Sequence, residues 1–259
     1  MTDSSSSSEE TNELFTTLST LSNCDMTEVL NMLKSLADTK YAPYSFSRIN
    51  TFNQCNRKFK YNVIDKLKPE KSDTTALRKG IEIHSVLEKH PAIPNVTETN
   101  LKIASTFINS ELGKFYFNLN NTREVKFGLD NSLVPVQYSK NTLFRGFIDF
   151  VCIKDNVLML VDWKTGKLKE QRYQDFTQLL LYAVFFFLKY PKIEKIKISY
   201  VYVEHNCEND LMLEREFLNN YINDLLTNIV KIEESTQFDK TENRLCEWCN
   251  YRTHCSNDN

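Results

Sequence analysis

Leu143-Phe-Arg-Gly-Phe-Ile-Asp149-Phe-Val-Cys-Ile153 and Val157-Leu-Met-Leu-Val-Asp162-Trp-Lys164, with Asp155-Asn156 between them, are the stretch on which the fold turns. Both runs are rich in Val, Ile, Phe and Leu, and Asp155-Asn156 suits the two-residue turn of a β-hairpin. With those residues in the turn, Asp149 falls directly opposite Asp162 on an antiparallel pair. Opposed Cβ atoms lie about 4.5–5.5 Å apart, and two carboxylates that close in an apolar hairpin repel each other unless a cation joins them. The period of two sets Lys164 on the Asp162 face, within reach of a phosphate or a water. Leu158 and Leu160 on that face, with Val157, Met159 and Val161 on the other, predict a strand buried on both sides. Taken alone, an Asp followed two residues later by a Lys also fits a solvated strand face or a structural ion pair.

Two further motifs flank the hairpin. Gln178 and Tyr182, four apart, share one face of the apolar helical segment that runs to Leu188. A buried glutamine without a partner costs about 1–3 kcal/mol, although an ordinary core helix with a satisfied amide has the same pattern. Upstream, in Arg78-Lys-Gly80-Ile-Glu-Ile-His84, the histidine by itself reads equally as a hydrogen-bonded core residue.

Cys246-Glu-Trp-Cys249-Asn-Tyr-Arg-Thr-His-Cys255 is a C-x2-C-x5-C run, three quarters of a four-sulfur site. Soft thiolates select zinc, copper(I) or iron-sulfur clusters, and spacing alone fits zinc as readily as iron-sulfur. The fourth ligand must come from elsewhere.

Composition narrows the class. The 259 residues contain no apolar run of about 18 and begin with a serine-rich acidic stretch unlike a signal peptide, so neither a membrane span nor secretion is expected. Seven cysteines without a secretion signal favour metal ligands or free thiols in a reducing compartment, here the cytoplasm. No phosphate-binding G-x-x-x-x-G-K-[ST] loop is present, which argues against a nucleotide-driven motor. The net charge is −2, but it is unevenly spread. Residues 1–38 carry −6, and residues 48–80 carry +6 with Phe52, Phe59 and Tyr61 interleaved. That basic strip, with Arg48, Arg57 and Lys58, suits phosphate neutralisation and base stacking, or a solvated helix face.

The hairpin resembles motifs II and III of the PD-(D/E)XK nucleases, in particular their RecB-like branch. Gly80 to His84 is similar to the G-x-x-x-H motif of that branch, and Gln178 to Tyr182 to its Q-x-x-x-Y motif. Glu124, in Arg123-Glu-Val-Lys-Phe127, occupies the place of an acidic residue on the first core strand. The resemblance implies an α/β restriction-endonuclease-like core with a mixed central sheet flanked by helices. It implies catalytic residues Asp149, Asp162, Lys164, Gln178, Tyr182 and Glu124, with Mg²⁺ or Mn²⁺ held by His84, Asp149, Asp162 and a carbonyl near Trp163. Iron-sulfur nucleases of the AddB and CRISPR-adaptation types take one cysteine before the core and a C-x2-C-x5-C after it. By that likeness Cys55, Cys246, Cys249 and Cys255 hold a 4Fe-4S cluster that clasps the N- and C-terminal parts, with zinc as the less favoured occupant.

The implied activity is exonuclease action on single-stranded DNA or DNA ends in phage or microbial recombination, repair or replication. A CRISPR-adaptation nuclease is the narrower alternative. A catalytically idle, iron-sulfur- or zinc-stapled DNA-binding module is the alternative of another class. Arg48, Arg57, Lys58 and Tyr182 are the expected DNA contacts.

Along the chain, residues 1–11 read as a disordered tail and 12–40 as a helical extension of two short helices that docks on the core or binds a protein partner. Residues 41–259 read as the nuclease domain. Helices are expected near 46–64, 76–90, 98–112 and 172–189. Strands are expected near 122–128, 133–138, 143–153, 157–164 and 195–204, followed by one long helix over 208–235.

Overall fold

The computed structural model describes residues 26–70 and 74–257. The expected tail and the first of the two N-terminal helices lie outside these residues. The turn at Asp155-Asn156 carries φ values of 49° and 62°, the left-handed pair that a two-residue hairpin turn requires. It joins β3 (Phe144–Lys154) to β4 (Val157–Lys164). Pairing runs from Lys154↔Val157 to Phe150↔Val161, the register set by the turn. The adjoining strands are β1 (Asn121–Leu129), β2 (Pro135–Val136), β5 (Lys195–Tyr202) and β6 (Cys207–Glu214). The six form one sheet in the order β2-β1-β3-β4-β5-β6. Only β4 and β5 are parallel, and their crossover contains an α-helix, as parallel neighbours require.

Helices cover both faces of this mixed sheet. In chain order they are α1 (Met26–Ser35), α2 (Phe46–Gln54), α3 (Asn56–Phe59, continued by a π-helical turn over Lys60–Ile64), α4 (Thr75–Lys89), α5 (Glu98–Asn109), α6 (Glu111–Phe117), α7 (Thr177–Lys189), α8 (Leu218–Glu233) and α9 (Arg252–Asn257). The apolar α7 is the crossover helix, buried from Leu181 to Phe187. It shares one core with α8, Phe127, Phe144, Ile148 and Leu160. The opposite core unites α4, α5 and α6 with Phe150, Val161 and Trp163. Val29 and Leu36 are buried in the first core, so the described part of the N-terminal extension docks on the domain and its apolar side is not free for a partner.

Three expectations are corrected. The stretch 208–235 is not one helix. Its first part is β6, an edge strand reached through a turn with Asn206 at φ 49°, whose polar residues Glu208, Asn209 and Asp210 mask the alternation. The helix expected over 46–64 breaks at Cys55, whose extended backbone (φ −167°, ψ 114°) ends α2 and opens α3. The helix expected from 172 starts at Thr177, where the Asp175 carboxylate accepts from the Thr177 amide and hydroxyl.

Residues beyond α8 return to the N-terminal helices. Phe238 stacks on Phe59 at 6.2 Å, Arg57 Nε donates to the Phe238 carbonyl at 2.7 Å, and Tyr251 packs on Tyr61.

Gly146 on β3 admits no side chain. A Cβ there would lie 2.7 Å from Phe127 Cζ and 2.9 Å from Tyr182 Cε1. Gly146→Ala is therefore expected to destabilise the fold by about 1–3 kcal/mol through overpacking. An unchanged midpoint in urea unfolding would contradict this.

Candidate active site

Residues two apart on a strand normally share a face. On β3 they do not at Asp149, since Ile148 joins the core under α7 and Phe150 the opposite one. On β1 the same change falls at Glu124. Arg123 lies over the Phe117 ring of α6 at 4.9 Å, whereas Val125 and Phe127 pack toward α7. Glu124 has φ 49°, a left-handed conformation unfavourable for a residue with a Cβ by roughly 1–2 kcal/mol. The β1–β3 ladder passes from Arg123↔Phe150 to Val125↔Ile148 with no Glu124↔Asp149 pair between them, and the β3–β4 ladder stops one position short of Asp162. Glu124, Asp149 and Asp162 thus stand in one row across three adjacent strands, at the point where backbone pairing gives way.

Side chains take over there. Asp149 Oδ2 accepts from the Trp163 amide at 2.8 Å, and Oδ1 lies 3.4 Å from His84 Nδ1. His84 Nε2 is 2.9 Å from the Trp163 carbonyl. The ligand atoms of His84, Glu124 and Asp149 lie within 4.8 Å of one another, the one such His, Cys, Asp and Glu group among the described residues. The expected ligand set was His84, Asp149 and Asp162. The set brought together instead contains Glu124, and the Asp162 carboxylate turns to the Lys164 ammonium at 2.7 Å. Lys164 also lies 4.5 Å over the Tyr200 ring.

Gln178 Nε2 reaches the Tyr182 hydroxyl at 3.4 Å. Neither touches the Lys164 ammonium, but both line the same open cleft of about 640 Å³ as His84, Asp149, Asp162 and Lys164. Arg145, Ser45 and Ser47 also line it and were not singled out from the sequence. Arg145 is the nearest cation to Asp149 along β3, although the change of face at Asp149 breaks the period that would have pointed to it.

Of the expected DNA contacts Tyr182 lines this cleft, and the three basic residues lie elsewhere. Arg48 donates to the carbonyls of Tyr41 and Pro43 at 2.6 and 2.8 Å, and Arg57 and Lys58 line a separate cavity of about 330 Å³. Cys55, Cys246, Cys249 and Cys255 all line that second cavity, and none is in a disulfide.

Burial, then the Asp149 charge, raises Asp162 to about 6 against the pull of Lys164. Burial, then Asp149 and Glu88, also raises Glu124. Burial alone would lower His84, but the hydrogen bond and charge of Asp149 outweigh it, and its pKa rises. The unfavourable ionisation of Asp162 and Glu124 is absent below the unfolded carboxylate range near pH 4 and grows as pH climbs through their folded values. The favourable contacts of protonated His84 are fully present below about pH 6.5 and are lost above its folded value. All three make the metal-free fold less stable as pH rises, and a cation on the deprotonated groups offsets this. Saturating Mg²⁺ is therefore expected to raise the melting temperature by several degrees more at pH 8 than at pH 5. Equal shifts in a calorimeter would contradict the ligand set.

Among the described residues no helix is long and apolar enough to cross a membrane. A family model described as the PD-(D/E)XK nuclease superfamily matches residues 43–113 and 109–256. Among solved structures, the chain is similar to a provisionally assigned exonuclease from Eubacterium rectale, with a TM-score of 0.47 and 14% identity over 81% of this chain and 86% of that one. It is also similar to the protein SSO0001, with a TM-score of 0.41 and 15% identity over 90% and 96% of the two chains. No curated protein matches.

Proposed function

The chain belongs to the PD-(D/E)XK nuclease superfamily, and from that membership we propose that it is a metal-dependent deoxyribonuclease of the RecB-like, iron-sulfur branch, acting on single strands or DNA ends. The observation that carries the reading is the row of Glu124, Asp149 and Asp162 across β1, β3 and β4, closed by His84 on one side and Lys164 on the other.

His84, Glu124 and Asp149 fit a divalent ion, since one nitrogen and two carboxylates converge and hard cations prefer oxygen-rich sites. Mg²⁺ or Mn²⁺ held there supplies polarisation of a phosphoryl oxygen and acidification of an attacking water. The chain's own residues do the rest. Asp162 holds the Lys164 ammonium at the edge of the cleft, where it can donate to the phosphoryl oxygen that gains charge. Arg145, with Ser45 and Ser47, offers donors for a neighbouring phosphate. Gln178 and Tyr182 line the same cleft, and burial pushes the Tyr182 hydroxyl up to about 12, so it stays protonated and can donate a hydrogen bond.

The four cysteines fit an iron-sulfur cluster. Four thiolates on zinc at about 2.3 Å would sit within roughly 4 Å of one another. Among the described residues no three cysteine sulfurs come within 4.8 Å of one another, and the cavity lined by these four has room for a larger group. Arg57 and Lys58 beside them would serve the cluster's surroundings and DNA approaching it. Arg48 is spent on carbonyls and is assigned to structure.

Digestion of end-labelled single- and double-stranded oligonucleotides by anaerobically purified protein tests the reading. Mg²⁺- or Mn²⁺-dependent shortening, abolished by chelation and reduced at least about 100-fold in Asp149→Asn, is expected. Intact substrates after incubation with folded, cluster-loaded protein would refute catalysis.

A further inference from the structure

The acid cluster opens on two sides. One is the polar cleft with Arg145 and Lys164. The other is an open cavity of about 560 Å³ that shares His84, Phe147, Asp149 and Thr165 with the cleft and reaches Glu124. Its chemistry is different. Leu77 and Ile81, one turn apart on α4, are 63% and 61% exposed. Phe147, two residues before Asp149 on β3, is 53% exposed. All three line this second cavity, whose charged members besides His84 are the acids Glu88, Glu124 and Asp149. Among the described residues no lysine or arginine lines it.

A nucleic-acid strand presents two chemistries, a chain of anionic phosphates and a series of flat apolar base faces. Away from the ligand cluster this lobe offers a phosphate no basic partner among the described residues, and unpaired bases are drawn to its exposed apolar groups. In a duplex those base faces are already stacked and paired. We propose that Leu77, Ile81 and Phe147 form a subsite for unpaired nucleobases of the substrate strand, beside the acid cluster and adjoining the phosphate-binding cleft, with Phe147 at the border of the two. The subsite deepens the nuclease reading, on which it rests, by assigning the strand preference to named side chains.

The test compares wild type with Leu77→Ser/Ile81→Ser and with Phe147→Ala, in Ca²⁺ to hold binding apart from cleavage. The probes are a single-stranded oligonucleotide containing 2-aminopurine, its abasic counterpart and a duplex of the same sequence. Loss of one stacking contact is expected to weaken single-strand binding about ten-fold and to relieve 2-aminopurine quenching. The abasic strand is expected to bind wild type about as weakly as the normal strand binds the double variant, and to be indifferent to the substitutions. Duplex binding should not change.

Unaltered single-strand binding in both variants, or equal weakening for normal and abasic strands, would overturn the proposal. Hydrolysis of bis(4-nitrophenyl) phosphate, a diester without bases, is measured alongside. If the wild type hydrolyses no diester, the nuclease reading fails, while the binding series still decides the subsite.

Discussion

Lys164→Ala is expected to lower phosphodiester cleavage about 10²–10³-fold, the scale set by removing one preorganised donor from a developing oxyanion. The geometry predicts where that loss appears. Lys164 is not among the three groups that converge for a cation, so Mg²⁺ affinity by calorimetry should stay near the wild-type value while kcat falls. Asp149→Asn should lose both together. Without the ammonium at 2.7 Å, the raised pKa of Asp162 should climb further, and the protonated carboxyl tolerates its buried position. Thermal stability should therefore change little. A Lys164→Ala protein that retains full activity would place charge stabilisation elsewhere in the cleft, with Arg145 the next residue to examine.

The second large effect is expected at Cys55. It sits at the break between α2 and α3, across the cavity from Cys246, Cys249 and Cys255. The segment from Phe238 to Tyr251 is held to Arg57, Phe59 and Tyr61 by a few hydrogen bonds and ring contacts. A group bound to all four thiols would close a long loop and couple its binding free energy to folding. Cys55→Ser is expected to remove the brown colour and bound iron and to lower the melting temperature by about 10 °C or more. It should also expose the segment after α8 to limited proteolysis. A colourless wild type carrying zinc would keep the clasp and change its occupant. Wild-type stability in the variant would remove the clasp altogether.

The sheet centre was legible because one two-residue turn fixes the register of β3 and β4, and register places Asp149 beside Asp162. The Gln178 and Tyr182 pair was legible because helical spacing allows only one arrangement of residues four apart. Edge strand β6 was not legible. Its polar Asn209 is buried while Leu211 and Met212 are exposed, and its strand character comes from β5 beside it. The break at Cys55 left no local signal, since no Gly or Pro marks it. The place of Glu124 beside His84 and Asp149 goes with its left-handed backbone, which glutamate does not advertise. Arg48 looked like a phosphate contact because sequence shows charge and not the carbonyls that consume it.

The packing of Phe238 on Phe59 also sets an order of events in biosynthesis. Arg57 meets the Phe238 carbonyl 181 positions along the chain. At roughly 5–20 residues per second, a ribosome takes on the order of ten to forty seconds to deliver that partner. Through that interval the aromatic face of α2 and α3 is uncovered, and a nascent chain stalled before residue 238 would present it to chaperones. The joined packing of these two segments would then form only after residue 238 has been delivered.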